Sequence, residues 1–333
     1  MKFTYRKINS KTNINKDIQM TNYIIPNPFN LSPYGMDDGM VFKQIINLAG
    51  ASVNAEKFFP SNLITKNSII LEPKIDYLKS FKGVDMNNTN NHYTPVKIMI
   101  DDFVAHRDSI QTSFKDSNFV IIGGDHTIAI ATGSLMSKLV NLEGVGMIWV
   151  DAHGDFNTPN TSSSKSLTGY PCAVNCGLTS MVEDEKLDIH FNNKFIKKCY
   201  QIGVRDIDEL ETQNLSSKGV MTYSSLDVET MGITTVIRDA IKHLSDCKYI
   251  WLSIDIDSLD PIYCDKGRTD VPVIGGLTPR EILVIANEVK KTNKLKITEI
   301  VQINNTKNNF NLVSMANRVV EIVIDKGQYR YNN

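Results

Sequence analysis

The chain is short of cysteine, of net charge and of long apolar runs, and each shortage removes a class of protein. Its five cysteines, Cys172, Cys176, Cys199, Cys247 and Cys264, are scattered and odd in number, which argues against a secreted disulfide scaffold. Cys172 and Cys176 stand four apart, as zinc ligands sometimes do, but no second cysteine pair follows and they read as ordinary thiols. No apolar leader opens these residues, so the cytoplasm is the expected location. No stretch reaches the roughly 18 to 20 apolar residues that span a bilayer, so no membrane partner is expected. The formal net charge is -1 with no block of like charge, so no nucleic acid is expected either. A small-molecule partner remains.

What the chain does have is 333 residues, 41% of them hydrophobic, enough for a substantial core. Residues 1–20 are rich in Asn and Lys, with Asp17 the only acid, and read as a loose N-terminal extension; an organelle-targeting segment is the lesser alternative, because Arg and Ser are scarce. No linker or repeat interrupts 21–324, which reads as one domain, and 325–333 form a C-terminal tail. Strands are expected at Tyr23–Pro26 and Ser68–Leu71, a helix at Met40–Ala49, and a loop over Met86–Tyr93 with a solvated His92. From Val96 the rhythm is regular. Helices are expected at Val96–Ser113, Thr127–Val140, Thr234–Leu244, Thr278–Thr292 and Asn311–Ile322. Strands are expected at Asn118–Ile122, Gly146–Val150, Cys199–Ile202, Val220–Tyr223, Tyr249–Ile254 and Lys296–Val301. Such alternation implies βαβ units, a mostly parallel sheet of about eight strands and helices on both faces, an α/β fold of three-layer αβα type.

Three of these strands end in acid or histidine. Phe119-Val-Ile-Ile-Gly-Gly-Asp-His126 turns on two glycines and offers His126; Gly146-Met-Ile-Trp-Val-Asp151 continues into Asp151, His153 and Asp155; Trp251-Leu-Ser-Ile-Asp-Ile-Asp257 offers Asp255 and Asp257. Alternate residues of an extended chain share a side, and open α/β sheets place their sites beyond the strands' carboxyl ends. Four carboxylates at one edge repel unless cations neutralise them, and two divalent ions balance a charge of about -4. Oxygen-rich ligation with some imidazole suits Mn²⁺, though ligand type also admits Zn²⁺, Fe²⁺ or Co²⁺. A pair of ions about 3.5 to 4 Å apart acidifies a shared water, so hydrolysis is the natural use. Singly, His126 reads as a helix cap and Asp257 as the start of a turn before Pro261; one Mn²⁺ on a nucleotide diphosphate would leave both histidines without a task.

These residues carry a resemblance. Gly123-Gly-Asp-His-Thr127, Asp151-Ala-His-Gly-Asp-Phe-Asn157 and Ser253-Ile-Asp-Ile-Asp-Ser-Leu-Asp-Pro261 look like the three signatures of the arginase and agmatinase family. Ile202-Gly-Val-Arg-Asp-Ile-Asp208, Thr158-Pro159 with Ser164, and Gly275-Gly-Leu-Thr-Pro-Arg-Glu281 resemble arginases in particular. The resemblance implies two Mn²⁺ per chain on His126, Asp151, His153, Asp155, Asp255 and Asp257, with Asp155 also catalytic. It implies hydrolysis of L-arginine to L-ornithine and urea, and assembly as a homotrimer or a dimer of trimers. Asn157 and Ser164 match positions that receive the substrate α-carboxylate, and Asp208 the one near its α-amino group. Hydrogen-bond donors facing a carboxylate and an ionised carboxyl facing an ammonium are chemically coherent.

Two positions depart from that pattern. Thr168, in Ser166-Leu-Thr-Gly-Tyr-Pro171, stands where arginases carry a proton-shuttling histidine, and Gln302 stands where a glutamate grips the guanidinium. Val271 stands where a threonine is usual. Threonine exchanges no proton near neutral pH, a loss of about 10²- to 10⁴-fold in rate, and the amide in place of a carboxylate costs roughly 2 to 5 kcal/mol. Two further readings therefore stand beside arginase: a protein that keeps metal and an amino-acid-like ligand with weak, altered or no arginase activity, and a non-catalytic oligomeric scaffold. Arg280 and Glu281 match trimer-contact residues of arginases, yet Pro279-Arg-Glu is also ordinary helix-opening chemistry.

Overall fold

A computed structural model describes residues 20–27, 68–71, 93–106, 110, 116–140, 144–164, 166–178, 195–264, 272–303 and 310–324. The expected extension 1–19, the helix at 40–49, the loop with His92, Val271 and the tail 325–333 lie outside the described residues.

Among the described residues, eight strands form one sheet: β1 (Thr21–Asn27), β2 (Ser68–Ile70), β3 (Ser117–Gly123), β4 (Val145–Val150), β5 (Ile196–Val204), β6 (Met221–Ser224), β7 (Tyr249–Asp255) and β8 (Leu295–Val301). Their order is β2-β1-β3-β8-β7-β4-β5-β6, and every pairing among them is parallel. The central strands β3, β4 and β8 are buried at every residue; β4 accordingly reads as an unbroken apolar run, whereas β8 buries Lys296, Thr298 and Glu299 among its apolar residues.

Alternate strand residues feed two separate cores. Phe119, Ile121, Met147, Trp149 and Trp251 pack with helices α1 (Tyr93–Ala105), α2 (Ile128–Val140), α3 (Pro171–Asn175) and α4 (Glu209–Ser217). Val120, Ile122, Ile148, Val150, Leu252 and Ile254 pack with α5 (Ser225–Met231), α6 (Ile233–His243), α7 (Pro279–Lys290) and α8 (Phe310–Val323). The period of two along each strand thus builds the expected three layers.

Local chemistry sets the boundaries. Helix α7 opens on a capping box: the Thr278 hydroxyl accepts from the Glu281 N–H, the Glu281 carboxylate accepts from the Thr278 N–H at 2.7 Å, and Pro279 occupies the first turn. Helix α1 ends at Ala105, short of the expected Ser113, because the His106 N–H bonds back only three residues to Phe103 O. Helix α4 has weak apolar periodicity, burying only Glu211 and Leu215, and its sequence signal is instead the Asp208-x-x-Glu211 start.

Candidate metal centre and pocket

Strands β3, β8, β7 and β4 are neighbours in the sheet, so residues far apart in sequence meet beyond their carboxyl ends. His126 leaves the turn after β3, Asp151 follows β4, Asp255 ends β7, and Gln302 follows β8. All six expected metal-site residues converge. His126 Nδ1 lies 2.9 Å from Asp151 Oδ2, 3.1 Å from Asp255 Oδ2 and 3.2 Å from Asp155 Oδ2. His153 Nδ1 lies 3.0 Å from Asp257 Oδ2 and 3.5 Å from Asp151 Oδ1. Asp151 therefore turns one oxygen to each histidine, and His126/Asp151/Asp155 and Asp151/His153/Asp257 each close to within 4.8 Å of one another.

The loops aim these groups by backbone hydrogen bonds. Asp151 Oδ1 accepts the His153 N–H, Asp255 Oδ1 accepts the Asp257 N–H, and Asp257 Oδ1 accepts the Ala152 N–H across the two loops. Arg205 clamps the second loop from below, donating to the carbonyls of Asp257, Ser258 and Leu259. Gly154 has no Cβ for a reason: one would meet Glu211 Oε1 at 2.7 Å, and that carboxylate accepts the Phe156 N–H. Asp155 adopts φ 47° and Gln302 φ 61°, left-handed backbone that non-glycine residues rarely hold, and both line the same pocket.

A buried polar chain fixes His126 from behind. Thr132 donates to Glu299 Oε1 at 2.6 Å, Ser253 donates to Glu299 Oε2 at 2.9 Å, and Ser253 Oγ lies 2.9 Å from His126 Nε2. Ser253 has one proton and gives it to Glu299, so His126 Nε2–H is the donor to Ser253. His126 Nδ1 is aimed at three carboxylates; burial opposes charge on the imidazole, but its bonds to Asp151, Asp155 and Asp255 hold its pKa well above the usual histidine value, so without metal a proton sits where a cation would bind. Trp149 stacks on His126 with ring centres 3.9 Å apart and donates to Asp151 Oδ2 at 3.1 Å.

The electrostatics ask for positive charge at this point. Burial opposes the His153 cation, but the Asp257 charge and bonds to Asp151 and Asp257 push its pKa up to about 12. Burial and then the Asp151 charge push Asp155 up to about 8; burial and neighbouring carboxylates also raise Asp255 and Asp257. Two imidazoles, one carboxylate that faces both and three more carboxylates form a donor set that fits two divalent cations, which would displace the protons the cluster otherwise holds.

Beside this cluster lies a pocket of about 170 Å³, below the roughly 300 Å³ at which drug-sized pockets begin, so it suits a small ligand. The substrate-end residues expected from sequence, Asn157, Ser164, Asp208, Thr168 and Gln302, all line it. Asn157 Nδ2 donates to Asp208 Oδ2 at 3.0 Å, and Thr161 holds the Asn157 carbonyl, so amide and carboxylate are presented as a pair. The Thr168 hydroxyl pairs with Ser166 Oγ at 2.8 Å. Ser163, Ser166, Asp206 and Glu211 also line the pocket and were not singled out from sequence. Of these only Glu211 carries a readable signal, the box start Asp208-x-x-Glu211; its second oxygen accepts the Asp208 N–H at 3.2 Å.

Fold and site together define a three-layer αβα protein whose sheet edge carries two histidine–carboxylate cradles joined by one aspartate. The chain belongs to the Arginase family, whose model matches residues 48–324. It is similar to the arginase of Neurospora crassa, 36% identical over 208 residues, which cover 60% of this chain and 57% of that one. The arginase of Bacillus subtilis is 34% identical over 189 residues, 56% of this chain and 61% of the relative. The chain thus matches about three fifths of the length of these curated relatives. The crystal structure of the Bacillus cereus arginase superposes with a TM-score of 0.71 at 23% identity, covering 93% of this chain and all of that one, a likeness of fold.

Among the described residues, no helix is long and apolar enough to cross a membrane.

Proposed function

We propose that the chain is a binuclear manganese hydrolase that cleaves the guanidinium of L-arginine to L-ornithine and urea. The observation that carries this reading is Asp151, whose two oxygens face two different histidines. His126, Asp151, Asp155 and Asp255 are the ligands proposed for one Mn²⁺; Asp151, His153 and Asp257, with Asp255 beside them, are those for the other. When bound, the ion pair supplies a hydroxide nucleophile near neutral pH. The chain's own residues do the rest. Asn157 and Ser164 donate to the substrate carboxylate, while Asp208, held by Asn157, attracts the ammonium. The Gln302 amide oxygen accepts from the guanidinium N–H groups. Asp155, proposed both as a ligand and as a catalytic residue, lines the pocket at the reacting end, where its carboxylate can relay a proton to the leaving amine.

A second reading is supported by Thr168 and Gln302: metal and amino-acid binding are kept while arginine turnover is slow, altered or absent. Thr168 hydrogen-bonds to Ser166 and supplies no group that titrates near pH 7. We further propose that residues 21–324 act as one domain, that the chain works in the cytoplasm, and that it assembles as a homotrimer or a dimer of trimers. Its five cysteines, all free thiols, support the compartment.

Urea release by the Mn²⁺-loaded protein tests the function. Turnover of L-arginine at about 1 to 10³ per second, with agmatine poor for want of a carboxylate, is the expected result. Bound metal and bound ornithine without urea would reject arginase and leave the second reading. Less than one tight Mn²⁺ per chain would reject both.

A further inference from the structure

Away from the pocket, three thiols meet, two of them four residues apart and the third distant in sequence. Cys172 sits on α3, Cys176 one turn later caps its end, its N–H bonded to Cys172 O at 3.0 Å, and Cys199 rises beneath them on β5. The three Sγ atoms lie within 4.8 Å of one another, and Cys172 Sγ is 3.7 Å from Cys199 Sγ. A zinc–sulfur bond of about 2.3 Å places tetrahedral ligands about 3.8 Å apart, whereas a disulfide needs about 2.05 Å. The thiols are therefore spaced as ligands.

We propose that Cys172, Cys176 and Cys199 form a second cation site, selective for a thiophilic ion of the Zn²⁺ class and separate from the histidine–carboxylate centre. Buried cysteine is commonly just a small apolar side chain, and Cys172 and Cys199 do pack in the core. Two features exceed that role. Gln201, fully buried, turns its amide N–H groups toward Cys172 Sγ at 3.6 Å and Gly154 O at 2.6 Å, the kind of donor that steadies a thiolate ligand. Lys218, whose ammonium donates to Gly177 O at 2.7 Å, stands next to Cys176, and its charge matches the -1 left by three thiolates around a divalent ion. The neighbouring thiols Cys172 and Cys199, and then Lys218, hold the Cys176 thiol down at about 5. Cys176, half-buried at the rim, is thus the thiolate that first meets an ion; burial holds the other two protonated until an ion displaces their protons to solvent.

Such a site braces the metal loop from its far side. The Ala173 N–H, between the two helix cysteines, donates to Asp155 O at 3.1 Å, and Gln201 holds Gly154 O. Water would supply the fourth ligand of a tetrahedral shell.

Cobalt distinguishes the two centres, because only sulfur ligands give a thiolate-to-Co²⁺ charge-transfer band. The full chain, reduced and then titrated with Co²⁺, is expected to show that band saturating at the intensity of one thiolate-bound ion per chain, and excess Zn²⁺ should bleach it. Cys176→Ser should abolish it, and Cys264→Ser, at a remote buried thiol, should leave it. Zn²⁺ should also slow alkylation of Cys176 in the unaltered chain by at least about tenfold, a readout that needs no variant. Absence of the band at saturating Co²⁺, a band that survives in Cys176→Ser, or alkylation indifferent to Zn²⁺ would each overturn the proposal.

Discussion

Ser253→Ala removes a single hydroxyl that accepts from His126 Nε2–H and donates to Glu299 Oε2, each across 2.9 Å. Both partners are buried, Glu299 at 0% exposure and His126 at 1%, so no water replaces the lost hydroxyl. Two effects follow. Leaving a buried donor and a buried carboxylate oxygen unpaired costs about 1 to 3 kcal/mol each in stability. More informative, the His126 proton is no longer pinned to Nε2; the imidazole is free to carry it on Nδ1, the atom facing Asp151, Asp155 and Asp255. Loss of such a supporting contact typically costs about 10- to 100-fold in metal affinity, which is about 1.4 to 2.8 kcal/mol. Calorimetric titration with Mn²⁺ should show one of the two binding events weakened by that factor and the other nearly unchanged. Thr132→Val, which removes the other bond to Glu299 but leaves Ser253 in place, should weaken binding less. A folded Ser253→Ala protein that binds both ions as tightly as the unaltered chain would refute the argument that this chain orients His126.

Three further outcomes follow from the same geometry. Thr168→His with Gln302→Glu should raise kcat/KM for arginine by about 10²-fold or more, since an acid–base group and a carboxylate partner are restored; an unchanged rate would mean that these positions do not limit turnover. Mn²⁺ loading should quench part of the tryptophan emission through Trp149, which stacks on His126, and Trp149→Phe should remove that part; equal quenching in the variant would place the reporter elsewhere. Burial raises the Glu211 carboxyl from 4.5 to about 7, so the folded state holds its proton more tightly than the unfolded one, and stability falls as pH rises through that window. The ceiling is about 3 kcal/mol. Denaturant unfolding of the metal-free protein across that window should show the fall, and Glu211→Gln should make it shallower, with Asp155, raised to about 8, supplying part of the remainder; parallel curves would assign the dependence to other groups.

The strand ends were legible because an acid or a histidine breaking an apolar run is conspicuous, and β3, β4 and β7 each stop that way at His126, Asp151 and Asp255. Layering was legible too, since βαβ alternation leaves few alternatives. Ser253 and Glu299 were not singled out: each is one polar residue inside a buried strand, and only the pairing of β7 with β8 brings them together. Trp149 reads as core until its indole N–H is seen on Asp151. Glu211 lies in a helix too polar for periodicity to find. Cys199 joins Cys172 and Cys176 only through tertiary packing, which no spacing rule reports, and Thr168 and Gln302 were visible as departures because the motifs around them are intact.

The central claim is that one aspartate joins two cation cradles, and magnetic resonance of the Mn²⁺-loaded protein tests it most directly. The geometry predicts two Mn²⁺ per chain with an exchange-coupled spectrum, and Asp151→Asn should lose the coupling before it loses all metal. A single Mn²⁺ per chain, or two with independent uncoupled spectra, would contradict it.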